Sequence, residues 1–336
     1  MGLRALLSID QDAPMDIADL AVEVATEMAR GAGLAITIAV SRDGRIGFDA
    51  AVRPLHLVHV IGRSMALRQR GRERLPLVVT PTTHPRRGPV LQRRLQADAA
   101  WWLVHGRSAA ARLVSEGIAP SSRVLPLPVL PYLGIASHEW PTRRASQRGA
   151  LGVLPGGRVV VGIGPMSDRS VEVFRQAMRG FNPREVVAVW IATHAMTTNI
   201  SMATDDSVRV VSEALGRPLL AAMDVLVVMG TPYAARSAAV DAAAVGIPVI
   251  TSPLDAAADF VDLVAGGSFL TSARPLELTT AVARALRMAA RSRALAVAPA
   301  SGGHLEDLVA LTSRCYADAI GRPLNATTML LNGRST

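Results

Sequence analysis

The chain has 336 residues, half of them hydrophobic and 19% charged, which excludes a disordered protein and leaves room for two α/β domains with sizeable cores. All 36 basic residues are arginine and the formal net charge is +9, a balance that steers anionic ligands such as a nucleotide or an acidic lipid. No helix-turn-helix, zinc finger or aromatic-basic strand accompanies the charge, which argues against nucleic acid, and a single cysteine, Cys315, excludes an internal disulfide and a cysteine-held cluster.

Leu3 to Ile9 reads as a buried strand, Asp10 to Asp16 as a loop, and Ile17 to Arg30 as a helix that Gly31 to Gly33 stops. Leu34 to Val40 is the next strand, so the chain opens as a βαβ unit. Strands follow at Leu55 to Ile61, Leu75 to Thr80, Ala99 to Val104 and Arg123 to Leu127, with helices at Ser64 to Arg70, Gly88 to Leu95 and Ser108 to Glu116. The Pro- and Arg-rich stretch from Pro128 to Arg148 reads as a connector between domains.

The pattern then restarts. Strands are expected at Arg158 to Ile163, Glu185 to Thr193, Val225 to Met229 and Val249 to Thr251. Helices are expected at Ser170 to Met178, Ser207 to Leu215, the alanine-rich Ser237 to Val245, Pro275 to Ser292 and His304 to Ile320. Two βα-repeating halves predict two Rossmann-like domains facing a cleft, with one continuous α/β domain as the alternative. The expected boundaries are 1–130, a linker over 131–150, a second domain over 151–305, a terminal helix over 306–322 and a tail over 323–336.

Strand "DVLVVMG", loop "TPYAARSAA" and then "VDAAAVGIPVITSP" resemble the nucleotide-sugar site of retaining glycosyltransferases built from two Rossmann-like domains (the GT-B type, family-4-like). Gly246, Pro248 and Val249 match that family's "GxPV". Asp241 stands where the family carries the Glu that holds the donor ribose hydroxyls. "TSPLDAAADFV" places Asp259 at a further acidic position, and "LHLVHVIG" and "LPLVVTPTTHP" resemble two first-domain strands. The last helix resembles the terminal helix that crosses back to the first domain. The resemblance implies sugar transfer from a nucleotide-diphosphate donor to a small acceptor, with retention at the anomeric carbon.

On that resemblance, Gly162, Gly164, Arg169, Ser237, Ala238 and Asp241 are the donor-binding candidates. Helix N–H groups near Ser237 to Ala239 would receive the diphosphate. Asp241 read without the family is an acid near a helix start, favoured by the helix dipole. Asp10, Asp12, Tyr233 and Asp259 are the substrate-side candidates, Asp10 and Asp12 reading equally as helix caps. His59, His84, Thr82 and Arg169 are the catalytic-side candidates; a strand-end His also reads as structural, and Arg169 as a solvent-facing helix-start residue.

The departures from the family are as informative. Tyr233 replaces its first Glu, Ala234 and Arg236 replace glycines, and Ile163 occupies the Arg position of the "vGRlxxxKG" loop. They leave open a catalytically silent homologue acting as partner or scaffold, and a different reaction on a nucleotide-sugar, such as epimerisation. No metal-ligand spacing appears, and no permanently bound cofactor is expected. An acceptor such as a secondary metabolite or aminocyclitol, a cytoplasmic setting, and a homodimer or partner enzyme complete the expectations. The opening "MGLRALLSID" is too short for a signal peptide, and no apolar run is long enough to span a membrane.

Overall fold

The computed structural model describes residues 4–10, 15–32, 34–41, 56–61, 75–81, 99–130, 139–166, 168–193, 207–229, 233–252, 256–263, 267–270, 272, 274–292 and 305–321. The expected helices at Ser64 to Arg70 and Gly88 to Leu95, and the tail over 323–336, lie outside these residues. The chain divides into two compact units, one formed by Met1–Pro128 with Gly303–Thr336 and the other by Val129–Gly302. Both are parallel six-stranded sheets flanked by helices.

In the first unit the strands are β1 (Arg4–Asp10), β2 (Ala35–Ser41), β3 (Leu57–Ile61), β4 (Leu77–Thr80), β5 (Ala99–His105) and β6 (Val124–Leu127). Their order is β2-β1-β3-β4-β5-β6, so the winding reverses between β1 and β3. Strands β3 and β4 are buried at every position, which is why their sequences LVHVI and LVVT run apolar instead of alternating. Helix α1 (Met15–Ala32) packs against the last helix of the chain. Helix α2 (Arg107–Ser115) covers the opposite face, where Ala110 and Leu113 meet Val58, Val79 and Trp102.

The second unit contains β7 (Arg158–Pro165), β8 (Val186–Thr193), β9 (Arg209–Ser212), β10 (Val225–Val228), β11 (Val249–Thr251) and β12 (Ser268–Phe269). Their order, β12-β11-β10-β7-β8-β9, is that of a doubly wound dinucleotide-binding sheet, with the reversal between β7 and β10. Helices α3 (Trp140–Ala150), α4 (Asp168–Met178), α5 (Glu213–Gly216), α6 (Tyr233–Ala244) and α7 (Pro275–Ser292) belong to this unit. Val171, Phe174 and Met178 of α4 follow helical spacing and meet Leu278 and Val282 of α7 on one face of the sheet. Ala235, Ala238, Ala239 and Ala242 of α6 pack on the other, against Ile163, Val228 and Val249. The final helix, α8 (Leu305–Ile320), belongs to the first unit and packs on α1, β3, β4 and β5. These are the two Rossmann-like units and the returning terminal helix expected from the sequence.

Three expectations are corrected. Residues 207–215 do not form one helix: Val208 and Val210 are buried around exposed Arg209, a period of two that makes β9, and only Glu213–Gly216 is helical. The linker over 131–150 ends early, because Trp140–Ala150 is helix α3 inside the second unit. Its Arg144 and Arg148, one helical turn apart, both donate to the buried Asp224 carboxylate, at 2.8 and 2.9 Å. Asp224 also accepts the Val159 N–H at 2.8 Å, so α3 is tied to the amino edge of the sheet. An arginine-rich sequence looks like connector when its buried acid lies about eighty residues away. The third correction is the start of α6. It begins at Tyr233 and not Ser237, so the helix-terminal N–H groups belong to 233–236. Asp241 is therefore two turns inside the helix, and the reading of it as a dipole-favoured acid of the first or second turn does not hold.

No described helix is long and apolar enough to cross a membrane.

Candidate functional site

Open parallel sheets bind ligands outside the carboxyl ends of their strands, at the point where the strand order reverses. In the second unit that point lies between β7 and β10. The two strands stay joined to their ends: Val228 registers with Ile163, and the Met229 N–H donates to the Ile163 carbonyl at 3.0 Å. Gly164 sits at this junction, and a Cβ there would lie 2.2 Å from the Met229 carbonyl oxygen. Gly162 is also a packing glycine, since its Cβ would lie 2.5 Å from the Trp190 ring. Both are buried within β7. Ile163 between them is fully buried in the core, so the position offers no charge.

Two helices begin at this crevice. After β7 the chain enters α4, whose second residue, Arg169, is exposed. After β10 it enters α6, buried at every position from 235 to 243. The alanines take the sheet-facing side of α6. Arg236, Ser237, Val240 and Asp241 therefore share the opposite side by helical spacing, and all are buried. A helix buried all round is normally apolar all round; this one carries a guanidinium, a hydroxyl and a carboxylate. Asp259 is half-buried in the 3-10 segment Ala256–Leu263, which packs against α6 and β11.

The carboxyl edge also holds hydroxyls without partners. Thr193 is the last residue of β8, Thr251 the last of β11, and Ser237 follows the first turn of α6. Each is at least 98% buried, and none of the three oxygens has a hydrogen-bond partner. Thr193 and Thr251 extend the sheet face that carries Ile191 and Val249, the face α6 covers. Orphan hydroxyls occur elsewhere, at Ser207, Ser268 and Ser313, but these three lie at the carboxyl edge of one sheet. A buried hydroxyl left unpaired costs about 1–3 kcal/mol, so such a group calls for a water or ligand.

The structure thus brings Gly162, Gly164, Arg169, Ser237, Ala238, Asp241 and Asp259 into one unit, with Arg169 and the start of α6 flanking the strand reversal. Tyr233 opens α6; its side chain is outside the described set. In the sequence Arg236 stands out only as the replacement of a glycine. Its place in an alanine-rich run was the available signal.

The first-unit candidates lie elsewhere. Asp10 ends β1 beside the strand reversal of that sheet, its side chain outside the described set, while Asp12, Thr82 and His84 fall outside the described residues. His59 is in the middle of β3, 5% exposed. Its Nδ1 pairs with the Tyr316 hydroxyl of α8 at 2.7 Å and its Nε2 with the Thr80 hydroxyl at 2.8 Å. Tyr316 also meets the imidazole edge-on, at 5.6 Å between ring centres. Burial, with the charge of His105 adding to it, pushes His59 down to about 3, so its ring is neutral at physiological pH. His59, Thr80, His105, Thr312 and Tyr316 line a cavity of about 40 Å³ between the sheet, α1 and α8. That is space for about three or four waters at roughly 10–15 Å³ each. Among the described residues no three of His, Cys, Asp and Glu gather as a metal site.

No protein-family model matches the chain, and no curated protein matches it in sequence. Solved structures match it in fold along nearly its whole length. A glycosyltransferase from Rickettsia africae superimposes with a TM-score of 0.64 at 8% identity, covering 96% of this chain and 100% of that one. WaaG, a glycosyltransferase involved in lipopolysaccharide biosynthesis, gives 0.60 at 14% identity, covering 95% and 100%. The UDP-GlcNAc 2-epimerase from Neisseria meningitidis, bound to UDP-GlcNAc, gives 0.53 at 12% identity, covering 94% and 100%. At these identities the likeness is one of fold, and the fold is GT-B-like: two Rossmann-type units.

Proposed function

We propose that this protein is a glycosyltransferase that takes its sugar from a nucleoside-diphosphate donor held at the carboxyl edge of the second unit. The observation that carries the reading is the set of buried, unpaired hydroxyls of Thr193, Ser237 and Thr251 at that edge, beside the start of α6. In this reading Asp241 accepts hydrogen bonds from the ribose hydroxyls, and the helix-terminal N–H groups at 233–236 receive the diphosphate. Arg169 at the start of α4 is a second cation for the diphosphate, Tyr233 and Asp259 border the sugar, and Gly162 and Gly164 allow the close approach of β7 and β10. The acceptor is a small molecule bound by the first unit, for which Asp10, Asp12, Thr82 and His84 remain the candidates. His59 takes a supporting role there, with both its nitrogens already engaged.

The reaction breaks the bond between the anomeric carbon and the β-phosphate oxygen. It forms a bond from the same carbon to an acceptor oxygen, and the acceptor proton passes to the leaving phosphate. Retention at the anomeric carbon follows from the family-4-like motif around Asp241 and is part of the proposal. A silent homologue is the second reading, favoured by the burial of Ile163 in the core where the family carries arginine.

Calorimetric titration with UDP, GDP, dTDP and ADP separates the two. Micromolar binding of one of them, weakened at least tenfold in Asp241→Asn, establishes the donor site; a charged hydrogen bond is worth about 1.5–3 kcal/mol. No binding of any of the four at millimolar concentration overturns it.

A further inference from the structure

We infer that the cavity between α1, the first sheet and α8 is a binding site for a small uncharged molecule carrying a hydroxyl or carbonyl oxygen. It is built wholly within the first unit, so it stands whether or not the donor reading above does.

The space comes from the sequence of α1. Leu20, Val24 and Met28 line the cavity at helical spacing, and the positions beside them on that face are Ala21 and Ala25, one turn apart. Leu308, Thr312 and Tyr316, again one turn apart, line it from α8. From the sheet come Ile61, Thr80, His105 and Leu127, the last residues of β3, β4, β5 and β6. The cavity therefore lies at the carboxyl ends of these strands, the end at which open parallel sheets take ligands. Its volume of about 40 Å³ suits a molecule about as large as three or four waters.

The polar wall has one donor too many. The Tyr316 hydroxyl, the Thr80 hydroxyl and the neutral His59 ring carry one proton each. His59 pairs through Nδ1 with Tyr316 and through Nε2 with Thr80. In one tautomer the ring donates to Tyr316 and accepts from Thr80; in the other the roles exchange. Either way two protons are used, and one hydroxyl keeps a proton with no hydrogen bond among the described residues. Burial pushes Tyr316 up, so its hydroxyl stays protonated, and protonating His59 would leave two spare protons instead of one. A buried donor left unpaired is costly, and a ligand oxygen in the cavity pairs it.

The rest of the chemistry sets the ligand's charge. Among the described residues that line the cavity none is Asp, Glu or Arg, and His59 is held neutral. An ammonium or carboxylate group would lose its water there without a fixed counter-charge. Both His59 nitrogens are engaged, so the site offers binding and no proton transfer.

The test uses molecules of one size and branching: acetone, 2-propanol, isopropylammonium, acetate and isobutene. Each is titrated at neutral pH into the full chain carrying ¹³C-methyl methionine. Met28 lines the cavity, Met178 in the core of the second unit is the control, and Met28→Leu identifies the signal. Acetone and 2-propanol are expected to move the Met28 signal saturably at millimolar concentration and to leave Met178 in place. The two ions are expected to bind at least tenfold more weakly. Isobutene leaves water far more readily than acetone, so acetone stays within about tenfold of it only by gaining a hydrogen bond in the cavity. Ala25→Leu fills the space and is expected to abolish binding; should it not fold, as read by thermal melting, Ala21→Leu decides in the same way. The inference is overturned if neither acetone nor 2-propanol shifts Met28, which leaves water as the occupant. It is overturned equally by ions that bind as well as acetone, by isobutene more than about tenfold tighter than acetone, or by unchanged binding in the folded cavity-filling variant.

Discussion

Replacing Asp224 by alanine tests how the second unit is held together at the edge opposite the proposed donor site. The carboxylate is fully buried and accepts from Arg144 at 2.8 Å, Arg148 at 2.9 Å and the Val159 N–H at 2.8 Å, with Arg158 at 3.8 Å. Burial, and the neighbouring charges of Arg148 and Arg158, lower Arg144 to about 10, which still leaves it charged at neutral pH. Alanine therefore strands two cations whose side chains are 16% and 20% exposed, and leaves a buried strand N–H unpaired. The guanidiniums keep their bonds to the carbonyls of Met223, Ala222 and Gly157, which limits the damage. Removing one partner of a buried pair costs about 3–5 kcal/mol, and the orphaned N–H accounts for about 1–3 of that. At a urea m-value of roughly 2 kcal/mol per molar, the second unit's transition should move down by about 1.5–2.5 M. Hydrogen exchange of β7 and β10 amides during urea unfolding reads that unit separately from the first. Asp224→Asn keeps an acceptor for Val159 and should cost about half as much. A shift below about 0.5 M for Asp224→Ala would refute the account, and α3 would then be held by Trp140 and Leu151 packing alone.

Gly164→Ala puts a Cβ 2.2 Å from the Met229 carbonyl, so the end of β10 must move. The expected cost is about 1–3 kcal/mol of stability, with at least a tenfold loss of diphosphate affinity because α6 starts from that strand end; melting and calorimetry measure the two. His59 is held near 3 in the folded protein against about 6.5 when unfolded, so the unfolded chain takes up a proton first as pH falls. Its contribution to stability is full above about pH 6.5 and falls by about 1.4 kcal/mol per unit below it, roughly 2 kcal/mol by pH 5. Denaturant titrations at pH 7 and pH 5 should show this loss in wild type and not in His59→Gln. An equal loss in both would assign the acid sensitivity to other groups.

The sequence by itself determined the strands and helices whose apolar runs are long or regularly spaced, and the two-unit plan that follows from βα alternation. Burial on both sheet faces demands continuous apolar strands such as VLVV and VVAVWIAT, and those are local properties of the chain. The alanine-rich run around Asp241 was legible as a helix too, but its start at Tyr233 was not. Tertiary structure decided the rest. Strand order depends on which way each crossover winds, so no local pattern could place the reversal between β7 and β10, or Arg169 and Arg236 on its two sides. Ion pairing across some eighty residues turned an apparent linker into α3. The terminal helix meets His59 through Tyr316, 257 positions away, and this candidate histidine has both ring nitrogens engaged, by Tyr316 and Thr80. A side chain's charge is written in the sequence; its dielectric surroundings and its partners are set only when distant segments pack, and at this site those surroundings separate buried Arg236 from exposed Arg169.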